Sequence, residues 1–197
     1  MHETERRRLV ALPIALAMVA GLAWAGSRGG ATVGAIPLFA LCAALAIGIQ
    51  WVAFVPACLA RTERYYDLTG SLTYLTLTAV AVALGPPVDA RSGMLVVLIV
   101  VWAARLGSFL FRRILAEGSD RRFHEIKASS VRFFAAWTLQ GVWVCFTMGA
   151  ALAAITSRRS VPLGALAWVG LALWMAGFAI EVVADRQKRR FRSRPEN

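Results

Sequence analysis

The chain has almost none of the residues from which metal and thiol chemistry is usually built. Its 197 residues include two histidines and three cysteines. His2 is terminal and His124 sits in a charged loop, which does not make a histidine-based metal site. Cys42, Cys58 and Cys145 lie far apart without CxxC spacing, each inside an apolar run. They read as small core residues, with neither a disulfide frame nor a metal site. Acids are scarce as well, 11 Asp and Glu against 22 Lys and Arg. There is no Gly-x-Ser-x-Gly elbow, phosphate-binding loop, dinucleotide fingerprint of glycines or internal repeat. These absences remove the common soluble hydrolase, P-loop and Rossmann readings.

What is present is apolar length. Hydrophobic residues make up 58% of the chain, and mean hydropathy is +0.61, well above a soluble domain of this size. Runs close to the ~20 residues that cross a hydrocarbon core recur, at about 9–24, 33–59, 68–84, 94–111, 133–155 and 162–183. The pattern predicts an all-α, polytopic membrane helical bundle of about six transmembrane helices, a single integral-membrane domain over 1–197. The second run is longer than a perpendicular crossing needs, so it tilts or bends near Pro56. The third is the most diluted, by Ser71, Thr73, Tyr74, Thr76 and Thr78.

The basic excess sets the orientation. Of the 22 Lys and Arg, seventeen fall in alternate segments on one side: Arg6 to Arg8, Arg61 and Arg64, the loop from Arg112 to Arg132, and a tail over 184–197. Four fall on the other side, and Arg105 lies within a span. By the positive-inside rule both termini and the 112–132 loop are cytoplasmic, in the cell (inner) membrane. Charge that flanks spans does not form one soluble basic face, so a nucleic-acid partner is not expected and membrane lipids are. The first run also has the makings of a signal peptide, with Arg6 to Arg8, an apolar core and Ala23-Trp24-Ala25. An uncleaved span is the preferred reading, and orientation is the same in either case.

Polar residues collect near the basic end. An arginine at a helix centre costs roughly 2.5–3.5 kcal/mol on insertion scales, yet Arg105 stands among Ala, Leu and Phe. Either it snorkels to headgroups, or it belongs to a cationic wall with Ser108 and Arg112, which share its helix face at i, i+3, i+7. Gly107 admits a close neighbour. Gly118-Ser119-Asp120 reads as a turn, with Ser119 or Asp120 capping the next helix. The arginines around it serve either as a solvated, lipid-facing loop or as a phosphate clamp. Asp67, Ser71, Tyr74 and Thr78 form a polar stripe along one helix face. Asp67 is either the N-cap of that helix or a functional acid, and a Tyr near an Asp is suited to proton delivery. Gln50 adds a polar group to the second run. Glu181, Asp185 and Lys188 share a face at the end of the last run, where acids oppose the helix dipole and need basic partners such as Arg105 or Arg112.

Four stretches resemble a family. Asp67-Leu-Thr-Gly-Ser, Trp102-Ala-Ala-Arg105-Leu-Gly107, Gly118-Ser-Asp120-Arg-Arg-Phe123 and Glu181-Val-Val-Ala-Asp185-Arg-Gln187-Lys188 with Phe191 are similar to a largely uncharacterised bacterial membrane family of the steroid 5-alpha-reductase-like superfamily. The resemblance covers roughly residues 45 to 197, with a partial C-terminal reductase region from 95. It implies a multi-span helical protein that uses cytoplasmic NADPH to reduce a carbon–carbon double bond conjugated to a carbonyl on a lipid. It implies that Arg105 contacts the cofactor and that Glu181 and Asp185 occupy the nucleotide-side acid signature. Lys188, with Arg112 in the same pocket, would approach phosphate.

In steroid-reducing members an acid and a tyrosine activate the carbonyl; Gln50 and Trp102 stand near those positions here. That departure points to a lipid or steroid-like substrate other than a true steroid, with Asp67 or Tyr74 as the catalytic substitutes. The family's later segments, including an Arg-His-Pro-Asn-Tyr stretch, do not occur before Asn197. The expectation is therefore weak, salt-sensitive NADPH binding by the 197-residue chain and no measurable enone reduction. Two further readings remain open, an S-adenosylmethionine-dependent membrane methyltransferase of related fold and a non-catalytic membrane protein. Hydride transfer to an enone separates the first two, and absence of nucleotide binding favours the third.

Overall fold

The computed structural model describes residues 3–192, apart from the side chains of 3–10, 117, 121 and 192. The side chains of Arg6 to Arg8, and the tail beyond residue 192, lie outside the described part. In chain order the elements are α1 (Glu3–Gly26), β1 (Thr32–Val33), β2 (Ile36–Pro37), α2 (Leu38–Leu59), α3 (Tyr66–Leu84), α4 (Ala90–Glu117), a 3-10 turn (Arg121–Phe123), α5 (Ser130–Thr156) and α6 (Ala165–Arg192). The architecture is an all-α polytopic bundle. Among the described residues α2 to α6 are long and apolar enough to cross a membrane, and α1 adds the shorter apolar stretch Ala11–Gly26.

The second span begins later than the apolar run suggests. Residues 32–37 form a small antiparallel hairpin, Thr32 opposite Pro37 and Val33 opposite Ile36. Gly34 turns it at φ 59°, a conformation that side chains resist and glycine adopts freely. Pro37, fixed at φ −60°, then serves as the N-cap of α2. The hairpin is pinned from outside, because the Ala31 amide donates to Thr156 O (2.8 Å) and the Arg158 amide to Gly29 O (3.2 Å). An apolar run that is paired and turned in this way cannot also be helix. At the other end α2 continues through Pro56 to Leu59.

The chain divides into two units, Met1–Ser160 and Val161–Asn197. In the first, α5 packs on α1, α2 and α3, and α3 packs on α4. Glycines allow the closest of these approaches. A Cβ on Gly107 would lie 2.6 Å from Ser71 Cβ, and one on Gly141 would lie 2.9 Å from Ala46 O. Close packing through small residues is how membrane helices associate when lipid offers no hydrophobic contrast. Leu38, Cys42, Leu77 and Val144 are buried in one core cluster, and Phe133 and Trp137 in another near the basic end. Gln50 is fully buried and donates from Nε2 to Thr73 Oγ1 (2.8 Å), joining α2 to α3. In the second unit α6 carries a stacked Trp174–Phe178 pair with ring centroids 4.9 Å apart.

Caps obey the local chemistry. Asp89 and Ser92 form a reciprocal capping box at the start of α4. These hydrogen bonds, the Ser92 hydroxyl first, hold the Asp89 carboxyl down at about 2. α4 ends at Gly118, φ 76°, and Asp120 then accepts the Arg122 amide (3.0 Å) to open the 3-10 turn. Ser129 caps α5.

Candidate functional site

The site is built on the polar stripe of α3. Lipid offers no water to satisfy hydroxyls, so they bond back to their own helix. Ser71 Oγ donates to Asp67 O (3.3 Å) and Thr78 Oγ1 to Tyr74 O (2.8 Å). Ser71, Tyr74 and Thr78 are buried. The Tyr74 ring stands edge-on to Trp102 of α4 (5.0 Å, 89°), and its hydroxyl shares a short hydrogen bond with Thr147 Oγ1 of α5. Tyr66 OH donates to Ala136 O (3.0 Å), and Gln140 Nε2 donates to Tyr66 O (3.0 Å).

Tyr66, Asp67, Ser71, Tyr74, Trp102 and Gln140 of this set line a pocket of about 300 Å³. Tyr66, Asp67, Gly70, Ser71 and Tyr74 form its α3 side. Trp102, Leu106 and Leu110 supply one wall from α4, and Leu139, Gln140, Trp143 and Val144 the other from α5. The α4 residues recur every four positions, one helical stripe. Arg113, three residues beyond Leu110, continues that stripe to the basic end.

There a charge network closes over the loops. Arg113 Nη2 lies 3.2 Å from Asp67 Oδ2 and 3.4 Å from Asp120 Oδ2. Arg122 Nε donates to both Asp120 oxygens (3.0 and 2.9 Å), and its Nη2 is 3.9 Å from Asp67 Oδ2. Glu63, buried in the α2–α3 connection, pairs with Lys127 and accepts the Asp120 amide (2.8 Å). Burial pushes the Glu63 carboxyl up, but the Lys127 and Asp120 hydrogen bonds outweigh it and hold the group below its usual range. The Arg122 hydrogen bond likewise lowers Asp120, and Asp120 raises Arg122. Two acids facing two arginines, and one acid facing one lysine, leave the network electrically balanced.

Of the residues singled out in the sequence, Asp67 and Tyr74 line the same pocket. Asp67 is not the N-cap of α3, however. Tyr65 holds that position without a side-chain bond, and Asp67 lies in the first turn, where its carboxylate meets Arg113. Arg105 is half-buried with its guanidinium 5.6 Å from the Phe109 ring centroid. Arg112 is exposed. Neither is a lining residue, because the pocket takes the neighbouring stripe of α4. Glu181 and Asp185 are half-buried and Lys188 exposed on α6, in the second unit. Sequence reasoning passed over Arg113, Glu63, Gln140 and Thr147. Arg113 carried a signal in its spacing from Leu106 and Leu110, and Gln140 carried one as an amide inside an apolar run. Glu63 and Thr147 acquire their roles only through contacts between distant segments. Among the described residues no group of three or more His, Cys, Asp or Glu is placed to hold a metal ion.

A family model described as "Protein of unknown function (DUF1295)" matches residues 53–197, the stretch that contains α3 to α6 and the whole pocket. No curated protein and no solved structure matches the chain.

Proposed function

The chain belongs to the DUF1295 family, of the steroid 5-alpha-reductase-like kind in general, and from that premise we propose that it is a multi-pass reductase of the cell (inner) membrane. In this reading it uses NADPH to saturate a C=C bond conjugated to a carbonyl in a lipid or steroid-like substrate. The observation that carries the reading is one pocket in which a tyrosine hydroxyl, a serine hydroxyl and a carboxylate stand against aromatic and leucine walls. Such a mixture of apolar lining and few polar groups suits a lipidic ligand with one reactive oxygen.

The residues fit part of the cofactor. About 300 Å³ is the low end of small-molecule sites, room for a ring and not for a dinucleotide. Arg113 and Arg122 face Asp67 and Asp120, and it is the family resemblance that allots the cofactor to Arg105 and Arg112. Glu181, Asp185 and Lys188, which the resemblance also allots to the nucleotide, lie in the second unit. NADPH, when bound, would supply the hydride of the reduction. The remaining proton is the protein's to deliver. Thr147 Oγ1 has a carbonyl partner, Trp143 O at 2.8 Å, and can instead turn its proton to Tyr74, freeing the phenol proton for the substrate oxygen. Asp67, anchored by Arg113, positions this end of α3.

The test is substrate-dependent NADPH oxidation by the protein in membranes, across ring and long-chain enones. Tyr74→Phe should lower turnover about 100-fold or more, the scale of general acid catalysis, while NADPH binding stays within about 2-fold. Failure to oxidise NADPH with any enone, or full activity of Tyr74→Phe, would sink the reading.

A further inference from the structure

We propose that residues 118–127 form a strap at the basic end of the pocket, and that filling the pocket tightens the strap through Asp67 and its arginines. The inference rests on the pocket being a ligand site and adds a response of the α4–α5 connection to it. The anchors of this connection gather on residues 63 to 67 and on Arg113. The Asp120 amide donates to Glu63 Oε1 (2.8 Å), and Lys127 pairs with Glu63 Oε2. The buried Phe123 ring stands edge-on to Tyr66, with centroids 4.8 Å apart. Asp120 shares both Arg113 and Arg122 with Asp67. Tyr66 and Asp67 line the pocket. The strap is therefore fastened to the pocket's own residues.

The fastenings are not equally firm. Glu63 is buried beneath its two partners. Arg113, carried by α4, reaches Asp67 Oδ2 at 3.2 Å and Asp120 Oδ2 at 3.4 Å. Arg122 differs. Its side chain is 65% exposed, and its Nη2 stops 3.9 Å from Asp67 Oδ2, beyond hydrogen-bond reach. This contact has room to shorten. Asp67 lines the pocket with a side chain that is still 23% exposed, so an apolar ligand takes water from its carboxylate. A carboxylate losing water depends more on its cations, because charge attraction grows as the local dielectric falls. Arg113 is already within reach, and Arg122, on the strap, is the cation with distance left to close. Its approach draws the strap onto α3. Gly118, at φ 76°, joins the strap to α4 in a conformation that glycine adopts without strain. Coupling of this kind is reciprocal, so a closed strap also holds the ligand.

The test follows amide hydrogen exchange of residues 118–127 in the full chain in lipid nanodiscs, with and without naphthalene. Naphthalene is a compact ring without polar groups, and its binding is measured separately by calorimetric titration corrected with empty nanodiscs. At saturation it should slow exchange of the strap about 5-fold or more, the lower end of site-to-site coupling, and leave the 29–37 hairpin within about 2-fold. Asp67→Asn, equal in size and uncharged, should bring the slowing of the strap below about 2-fold. Arg122→Gln alters an exposed side chain and serves if Asp67→Asn does not fold. It should remove about half of the slowing or more, whereas Arg122→Lys, which keeps the charge, should retain it. A merely structural role for these residues would change exchange equally with and without naphthalene. A strap that does not respond or exchanges faster, equal slowing of the hairpin, undiminished slowing in the folded variant, or no binding of naphthalene would each overturn the proposal. Enone turnover reads separately. A responsive strap without turnover removes the reductase and keeps the coupling, and turnover without a response does the reverse.

Discussion

α3 and α4 pack against each other, yet they stand in opposite relation to their surroundings. α3 has a mean hydropathy of 1.3 over its span, and 39% of that stretch is buried. α4 reaches 2.3 with only 11% buried. The less apolar helix is the more enclosed. In water the order would be reversed, since apolar area is what leaves the solvent. In lipid, leucine and valine are as well solvated outside as inside, and hydroxyls and amides are the groups that gain from facing protein. Ser71, Thr73, Tyr74 and Thr78 are accordingly buried on α3, while Val97, Val100 and Val101 are exposed on α4.

The comparison can be broken most forcefully where the two helices touch. Gly107→Leu would drive a side chain into Ser71, whose Cβ lies 2.6 Å from where the first added carbon would sit. We expect a loss of about 3 kcal/mol, the upper part of the overpacking range, in unfolding from mixed detergent micelles. Val97→Leu, on the exposed side of the same helix, should stay within about 0.5 kcal/mol. Equal losses at the two positions would mean that α4 has no inner and outer face.

A smaller effect sharpens the claim about polar burial. Thr73→Val leaves Gln50 Nε2 without its acceptor and should cost about 1 kcal/mol, within the range for interhelical hydrogen bonds in membranes. Gln50→Leu combined with Thr73→Val should be less destabilising than the two single losses added, because neither partner is then left unsatisfied. Strict additivity in that double-mutant cycle would show the pair to be uncoupled.

The smallest effect lies at the basic end, outside the spans. Glu63 is held below its ordinary range in the folded protein. Its contribution is therefore complete above the unfolded-state value of about 4.3 and is lost as pH falls through the lower folded value. Acid titration of stability should show this loss in the unaltered chain and a flatter profile in Glu63→Gln. Identical profiles would remove Glu63 from the network.

The membrane architecture was legible because its cause is local. Length and apolarity of the runs set where a helix can cross, so among the described residues α2 to α6 appear as long apolar helices and α1 carries the apolar stretch Ala11–Gly26. The error at 33–37 came from the same rule, since apolarity alone does not distinguish helix from a hairpin turned at Gly34 and stopped at Pro37. The polar stripe on α3 was legible from its period, and its packed role came from the solvent argument. The partner of Asp67 was not. Arg105 and Arg112 offered the more familiar pattern, but a rotation of α4 by one position gives the pocket to Trp102, Leu106 and Leu110, and the ion pair to Arg113.

What the sequence by itself determined is the part of this protein that each segment settles with its solvent: apolar spans, basic segments between them, and a diluted helix that needs protein around its hydroxyls. What only the tertiary structure decided is which face of each helix meets which neighbour. Helix rotation is set by close contacts such as Gly107 on Ser71, Gly70 on Gln140 and Gly141 on Ala46, and those contacts join residues that no local pattern connects. The pocket and the charge network above it both depend on those few tenths of a nanometre, because van der Waals contact and hydrogen bonding act only at that range.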